Sequence, residues 1–125
     1  MIYHNSFGKS NSRGVSILFS KQVEYSIIDT HQDSEVIILI LNIELDNTNY
    51  TLVNIYAPNY VKERNSFFTK LKNMLEKTCL GMLIIGGDLN DTLSSMDKEI
   101  VKNKVESPVF GLKQLIKHFK LLDIW

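Results

Sequence analysis

The chain reads as a layered α/β or α+β domain, and three observations carry that reading. Short apolar runs rich in β-branched and aromatic residues fill the first half. Two of them, 36–44 and 50–56, flank the turn formers Asp46-Asn47-Thr48-Asn49, which is how a β-hairpin looks in sequence. Two later stretches, about 61–77 and 109–119, carry apolar residues at helical spacing with one more short apolar run between them, so the element order is ββββαβα.

Each element has its own reason. Residues 1–13 are polar and rich in Ser and Asn, and are expected to be a loop or a frayed end. Gly14-Val15-Ser16-Ile17-Leu18-Phe19 has the composition of a strand, and 23–28 of a shorter one with partial alternation. Residues 30–35 read as a polar turn. The run 36–44 is apolar on both faces, which predicts a central strand. Pro58 ends the strand that follows. In the first helix Phe67, Phe68, Leu71, Met74 and Leu75 share a face, while Lys62, Glu63, Lys70, Lys72 and Glu76 face water. The run 82–85 predicts a buried strand, and 91–108 is irregular and polar. Leu112, Leu115, Ile116 and Phe119 mark the apolar stripe of the last helix.

The bulk numbers narrow the classes. A length of 125 residues suits one domain with one core, and 44% hydrophobic with 22% charged residues is a globular composition. The formal net charge is zero, so nucleic-acid contact by bulk electrostatics is not indicated; a local patch or a metal would have to supply it. The single Cys79 excludes an internal disulfide and a disulfide framework, and fits a reducing compartment. The apolar run 36–43 falls far short of the ~20 residues of a spanning helix, and the N-terminus lacks the form of a signal peptide. The chain stops on Asp123-Ile124-Trp125 without a polar tail, and the expectation is that it was cut out of something longer.

Chemistry concentrates where strands end. Leu83-Ile84-Ile85-Gly86-Gly87-Asp88-Leu89-Asn90 is an apolar run delivering an acid and an amide at i, i+2, which strand alternation would place on one side at a sheet edge. A carboxylate ligates a hard cation or orients a water; a nearby Asn holds a phosphate oxygen without adding repulsive charge. The same residues are also ordinary turn formers. Tyr56 and Asn59 end the preceding strand, and a Tyr hydroxyl there can donate to a phosphate oxygen, or simply reach water with its ring in the core. Asp97 beside Lys98 is either an ion-paired turn or an acid that braces the loop after Asn90. His4, His31 and His118 have no partner at metal-ligand spacing and read as structural or surface residues. Lys98, Lys102, Lys104, Lys113, Lys117 and Lys120 make the last third loosely basic, either as a nucleic-acid face or as a solvated helix face.

Together these pieces resemble the endonuclease/exonuclease/phosphatase superfamily, and within it the apurinic/apyrimidinic-type endonuclease domain of LINE-class non-LTR retrotransposons. The resemblance is carried by Gly14-Val15-Ser16-Ile17-Leu18-Phe19-Ser20, Val53-Asn54-Ile55-Tyr56-Ala57-Pro58-Asn59, the segment ending Gly86-Gly87-Asp88-Leu89-Asn90, Leu93-Ser94-Ser95-Met96-Asp97-Lys98 and Leu121-Leu122-Asp123-Ile124-Trp125. They occur in the family's order from about residue 12 on; Leu89 stands where the family usually has Phe. The resemblance implies an α+β, four-layered αββα sandwich, here incomplete at both ends. It implies hydrolysis of a phosphodiester that depends on Mg²⁺ or Mn²⁺. Tyr56 would contact the scissile phosphate, Asp88 would orient or deprotonate the water, Asn90 would stabilise the charged phosphorus centre, Asn59 would help bind substrate and Asp97 would brace its loop.

Two family motifs have no match, and an early active-site Asn of the family has none either. The metal-binding Glu belongs in a Gln-Glu-Thr-like motif before the first quoted segment, yet the 13 residues preceding Gly14 contain no Glu. The closing Ser-Asp-His motif belongs after the Asp-Ile-Trp segment. No metal ligand of the family therefore lies in this chain, unless Asp88 serves as one. The expectation is a central fragment, residues 1–125, of a DNA-nicking domain, inactive by itself and acting on the phosphate backbone of target DNA. An intracellular, nuclear location is expected from that substrate, with no membrane and no disulfide-linked partner. The alternatives are a phosphatase or exonuclease of the same superfamily, and a non-catalytic remnant that binds nucleic acid or protein.

Overall fold

The structure is a computed structural model that describes residues 2–7, 14–35, 37–90 and 110–124. Its elements are β1 Ile2–Phe7, β2 Gly14–Phe19, β3 Ser26–Gln32, β4 Ile38–Leu45, β5 Thr48–Tyr56, α1 Val61–Thr78, β6 Met82–Asp88 and α2 Phe110–Phe119. The class is α+β. The chain divides into two compact units, Met1–Tyr56 with Lys77–Asp88, and Ala57–Glu76 with Leu89–Trp125.

The first unit is a sandwich of two sheets. β1 and β2 pair antiparallel, and the second sheet has the order β3-β4-β5-β6. β3 with β4 and β4 with β5 are antiparallel; β5 with β6 is parallel. Val15 and Phe19 of β2 pack with Leu39, Leu41 and Ile43 of β4, and Ile17, Tyr25, Leu45, Tyr50 and Leu52 close around them. The Phe19 and Tyr25 rings stack with centroids 3.9 Å apart. Asn54 Nδ2 crosses between the sheets and donates to Ser16 O at 2.7 Å. The alternate residues of β4, Ile38, Ile40 and Asn42, are buried too, so this strand is central, as a run apolar on both faces predicts.

The turns follow from the side chains in them. Asp46 and Asn47 take φ of 49° and 60°, the left-handed pair of a type I′ hairpin, which Asp and Asn tolerate better than branched residues. The expected four-residue turn thus tightens to two, with Leu45 and Thr48 already register partners. Between β3 and β4 the buried Asp33 carboxylate accepts the Ile37 and Ile38 amides at 2.8 and 2.9 Å. That local cap lets β3 run on to Gln32, through part of the segment that reads as a polar turn.

In the second unit, Phe67, Phe68 and Leu71 of α1 and Leu112 and Leu115 of α2 are buried, as their helical spacing predicts, and Leu75 likewise. The Gly111 amide donates to Asn65 Oδ1 at 3.0 Å, and a Cβ at Gly111 would lie 3.1 Å from that of Phe68. Glycine there is what lets the two helices approach. His118 Nε2 lies 3.2 Å from Glu76 Oε1, and His31 Nε2 lies 3.0 Å from Asp29 Oδ1, so both are paired surface histidines. Among the described residues no helix is long and apolar enough to cross a membrane.

Three expectations need correction. Ile2–Phe7, read as loop, forms β1, because its backbone finds a full antiparallel ladder with β2 that composition does not reveal. β6 is longer than 82–85: it passes through both glycines to Asp88, held by pairing with β5. It is also not a buried strand. Met82 is 61% and Ile84 47% exposed, since β6 is the outer strand of its sheet among the described residues.

Candidate active site

The parallel pairing of β5 and β6 is the geometry that matters. Its register runs from Tyr50↔Met82 to Tyr56↔Asp88, so the two polar residues lie side by side at the carboxyl ends of adjacent parallel strands. Register partners on neighbouring strands project to the same face, about 4.8 Å apart. Both side chains are exposed, Tyr56 at 42%. The carboxyl ends of parallel strands are where open α/β sheets bind ligands. The Tyr56 amide donates to Ile37 O at 3.0 Å, which ties the end of β5 back to the entry of β4.

The strand carrying Asp88 is held by glycine at both ends. Gly87 has φ of 115°, and a Cβ on it would run into the Ile55 carbonyl and come within 2.6 Å of Asn54 Oδ1. At the other end a Cβ on Gly81 would collide with the Asn49 backbone. A buried polar network then fastens the start of β6. Thr51 Oγ1 accepts the Leu80 and Gly81 amides at 3.0 and 3.2 Å and donates to Asn42 Oδ1 at 2.6 Å. Asn42 Nδ2 donates in turn to Asp29 Oδ1 at 2.6 Å and to Thr78 O at 2.7 Å.

Asn90 does not continue the strand. β6 ends at Asp88, and Asn90 takes the left-handed φ of 48°, so the alternation that would set Asp88 and Asn90 on one side does not extend to it. In the second unit the Asn90 carboxamide donates to Ala57 O. Arg64 Nη1 donates to Asn90 O at 2.6 Å and to Asn59 O at 3.2 Å. The segments that follow β5 and β6 are thereby joined through one guanidinium. Asn59 itself is exposed and enters this arrangement through its carbonyl. Asp97 and Lys98 lie outside the described residues.

Arg64 escapes a reading of the sequence. It sits in the first turn of α1 beside Lys62 and Glu63, where a basic residue looks like one more solvated charge. A cation there opposes the helix dipole, at a cost of ~0.3–1 kcal/mol, and its Nε is buried without a partner among the described residues. The two carbonyls it binds offset those costs; charge-assisted hydrogen bonds contribute about 1.5–3 kcal/mol each. The only signal in the sequence was the misplaced sign of that charge.

The donor set also bears on a metal. Among the described residues no three of His, Cys, Asp and Glu come together. Among the described residues Asp88 is the one carboxylate at the carboxyl ends of β5 and β6. A hard divalent cation takes about six oxygen ligands. The described residues therefore do not fit Mg²⁺ or Mn²⁺ by themselves.

No family model matches the chain. It is 35% identical over 115 residues to the transposon TX1 uncharacterized 149 kDa protein of Xenopus laevis, covering 91% of this chain and 9% of that protein. Among solved structures it is similar to a β-hairpin deletion mutant of beta toxin from Staphylococcus aureus, with a TM-score of 0.51, 15% identity, and coverage of 84% of this chain and 44% of that one. A truncated Caenorhabditis elegans TDP2 matches with a TM-score of 0.46, 17% identity, and coverage of 74% and 42%. The chain thus spans about a tenth of the transposon protein and under half of each solved chain. The facing sheets of the first unit and the likeness to the toxin show an α+β sandwich fold.

Proposed function

We propose that this chain is the central part of a LINE-type retrotransposon endonuclease domain, and that it contributes Tyr56, Asp88 and Asn90 to a site that nicks target DNA. The observation that carries the reading is the parallel register that sets Tyr56 beside Asp88 at the ends of β5 and β6. The similarity to a transposon protein supports the retroelement branch over a phosphatase or exonuclease.

In this reading the Tyr56 hydroxyl donates to a non-bridging oxygen of the scissile phosphate. Asp88 accepts a proton from the attacking water as its oxygen bonds to phosphorus. The Asn90 carboxamide carries two N–H donors; one is directed to Ala57 O, which fixes the plane in which the other meets developing charge on phosphate oxygen. Asn59 would help bind the substrate. The bond from phosphorus to the departing sugar oxygen breaks, and that oxygen takes its proton from an acid outside the described residues. Mg²⁺ or Mn²⁺ would supply charge neutralisation in the complete domain, with ligands from a longer protein. A DNA substrate makes the nucleus the site of action.

The test is plasmid nicking. The 125 residues alone are expected to leave supercoiled DNA intact. Fused to flanks that supply the family's Glu and Ser-Asp-His motifs, they nick it with Mg²⁺ or Mn²⁺, and Asp88→Ala lowers the rate by about 10²–10⁴-fold, the usual contribution of a general base. Equal nicking by the Asp88→Ala fusion refutes the site. Salt-sensitive DNA binding with no metal-dependent cleavage by the fusion favours the non-catalytic remnant.

A further inference from the structure

We infer that Arg64 is the positioning residue for Asn90, a role that rests on the nuclease reading above for its functional consequence but not for its structural one. Arg64 Nη1 donates to Asn90 O at 2.6 Å and to Asn59 O at 3.2 Å. Asn90 has φ 48°, a left-handed conformation that Asn adopts at modest cost and that its surroundings select. Two hydrogen bonds select it here: Arg64 grips the backbone carbonyl, and the Asn90 carboxamide donates to Ala57 O. Backbone and side chain of one residue are thus fixed from two directions.

The geometry separates this role from direct phosphate binding. A guanidinium grips phosphate with two parallel N–H groups along one edge. In Arg64 the Nε is buried and Nη1 already serves two carbonyls. A guanidinium has two such edges, Nε with Nη2 and Nη1 with Nη2, and each includes one of these nitrogens, so neither is free for phosphate. The cost of a first-turn arginine set against the helix dipole is offset here by its bonding the segments after β5 and β6 to one another. Asn59 then acts as an anchor for Arg64 through its carbonyl, whatever its side chain contacts.

Two measurements test this. In the 125-residue chain, hydrogen exchange of the Asn90 side-chain amide is followed by NMR, with the Asn42 amide as an internal reference for global folding. Arg64→Met is expected to speed Asn90 exchange about tenfold, the effect of losing one charge-assisted hydrogen bond, and to leave Asn42 unchanged. Arg64→Lys, which keeps a donor, covers the case in which the Met variant does not fold, and falls between. Unchanged Asn90 exchange in folded Arg64→Met, or in Arg64→Lys where the Met variant does not fold, overturns the inference. In the nicking-competent fusion, Arg64→Met is expected to lower kcat with KM for DNA unchanged, and Arg64→Lys to restore part of it. A raised KM with kcat intact assigns Arg64 to phosphate binding instead. If Asn90→Ala nicks normally, the nuclease role of Asn90 fails while the exchange experiment still decides the positioning.

Discussion

Replacing Thr51 by Val removes one oxygen and almost no volume, and the structure says what that oxygen does. Thr51 is fully buried; its hydroxyl donates to Asn42 Oδ1 at 2.6 Å and accepts the amides of Leu80 and Gly81 at 3.0 and 3.2 Å. The valine methyl leaves all three groups without that partner. Each buried group so orphaned costs about 1–3 kcal/mol. Leu80 is half exposed, so water can satisfy its amide; the full penalty applies to the buried Asn42 Oδ1 and part of it to the half-buried Gly81 amide. The expected loss is about 2–4 kcal/mol, a large part of the ~5–15 kcal/mol by which domains are stable. With a mid-range urea m-value of about 2 kcal/mol/M the unfolding midpoint falls by roughly 1–2 M. Thr51→Ser keeps the hydroxyl and should lose under half as much. The assay is urea unfolding followed by circular dichroism. A Val variant within ~0.5 kcal/mol of the parent, or a Ser variant as damaged as the Val one, would show that the network is not what holds the start of β6.

The two glycines before Asp88 should respond differently. Gly87→Ala places a Cβ against the Ile55 carbonyl at φ 115° and is expected to cost at least about 2 kcal/mol, whereas Gly86→Ala meets open space and should change stability by less than ~0.5 kcal/mol, both read by thermal unfolding. In the hairpin, Asn47→Gly relieves a left-handed residue at φ 60° and should raise the melting point by a few degrees; Asn47→Val should lower it, by about 1–2 kcal/mol of stability. A neutral Val variant would mean the turn is not type I′ in solution.

Where the sequence is a good guide, the reason is burial with a period. β4, apolar on both faces, is a central strand; the apolar stripes of α1 and α2 are the buried ones. Where it misleads, the deciding partner is distant in sequence. β1 is polar, and only its ladder to β2 makes it a strand. Gly86 and Gly87 look like a strand end, but pairing with β5 carries the strand through them. Asn42 and Thr51 look like polar interruptions of apolar runs, and each is satisfied by groups such as Asp29 and Leu80 that no local pattern connects to it. Tyr56 and Asp88 stand out as strand-end residues, yet their register is a property of pairing alone. Arg64 had no signal beyond the wrong sign of charge at a helix start.

That register is over-determined, and by residues remote from the polar pair. Side-chain direction alternates along a strand, so a one-residue slip of β6 would turn Asp88 to the opposite face from Tyr56. β6 has few buried side chains to resist such a slip; Met82 and Ile84 are largely exposed. What resists it is backbone contact. Thr51 fixes the Leu80 and Gly81 amides at the start of the strand. Gly81 fits against Asn49 there, and Gly87 fits against Ile55 at the end. Any slip brings a side chain to one of these two positions, where the partner backbone leaves no room for a Cβ. An outer strand that buries little is thereby as well aligned as a core strand. The alignment delivers Asp88 opposite Tyr56 without either residue having to hold the other.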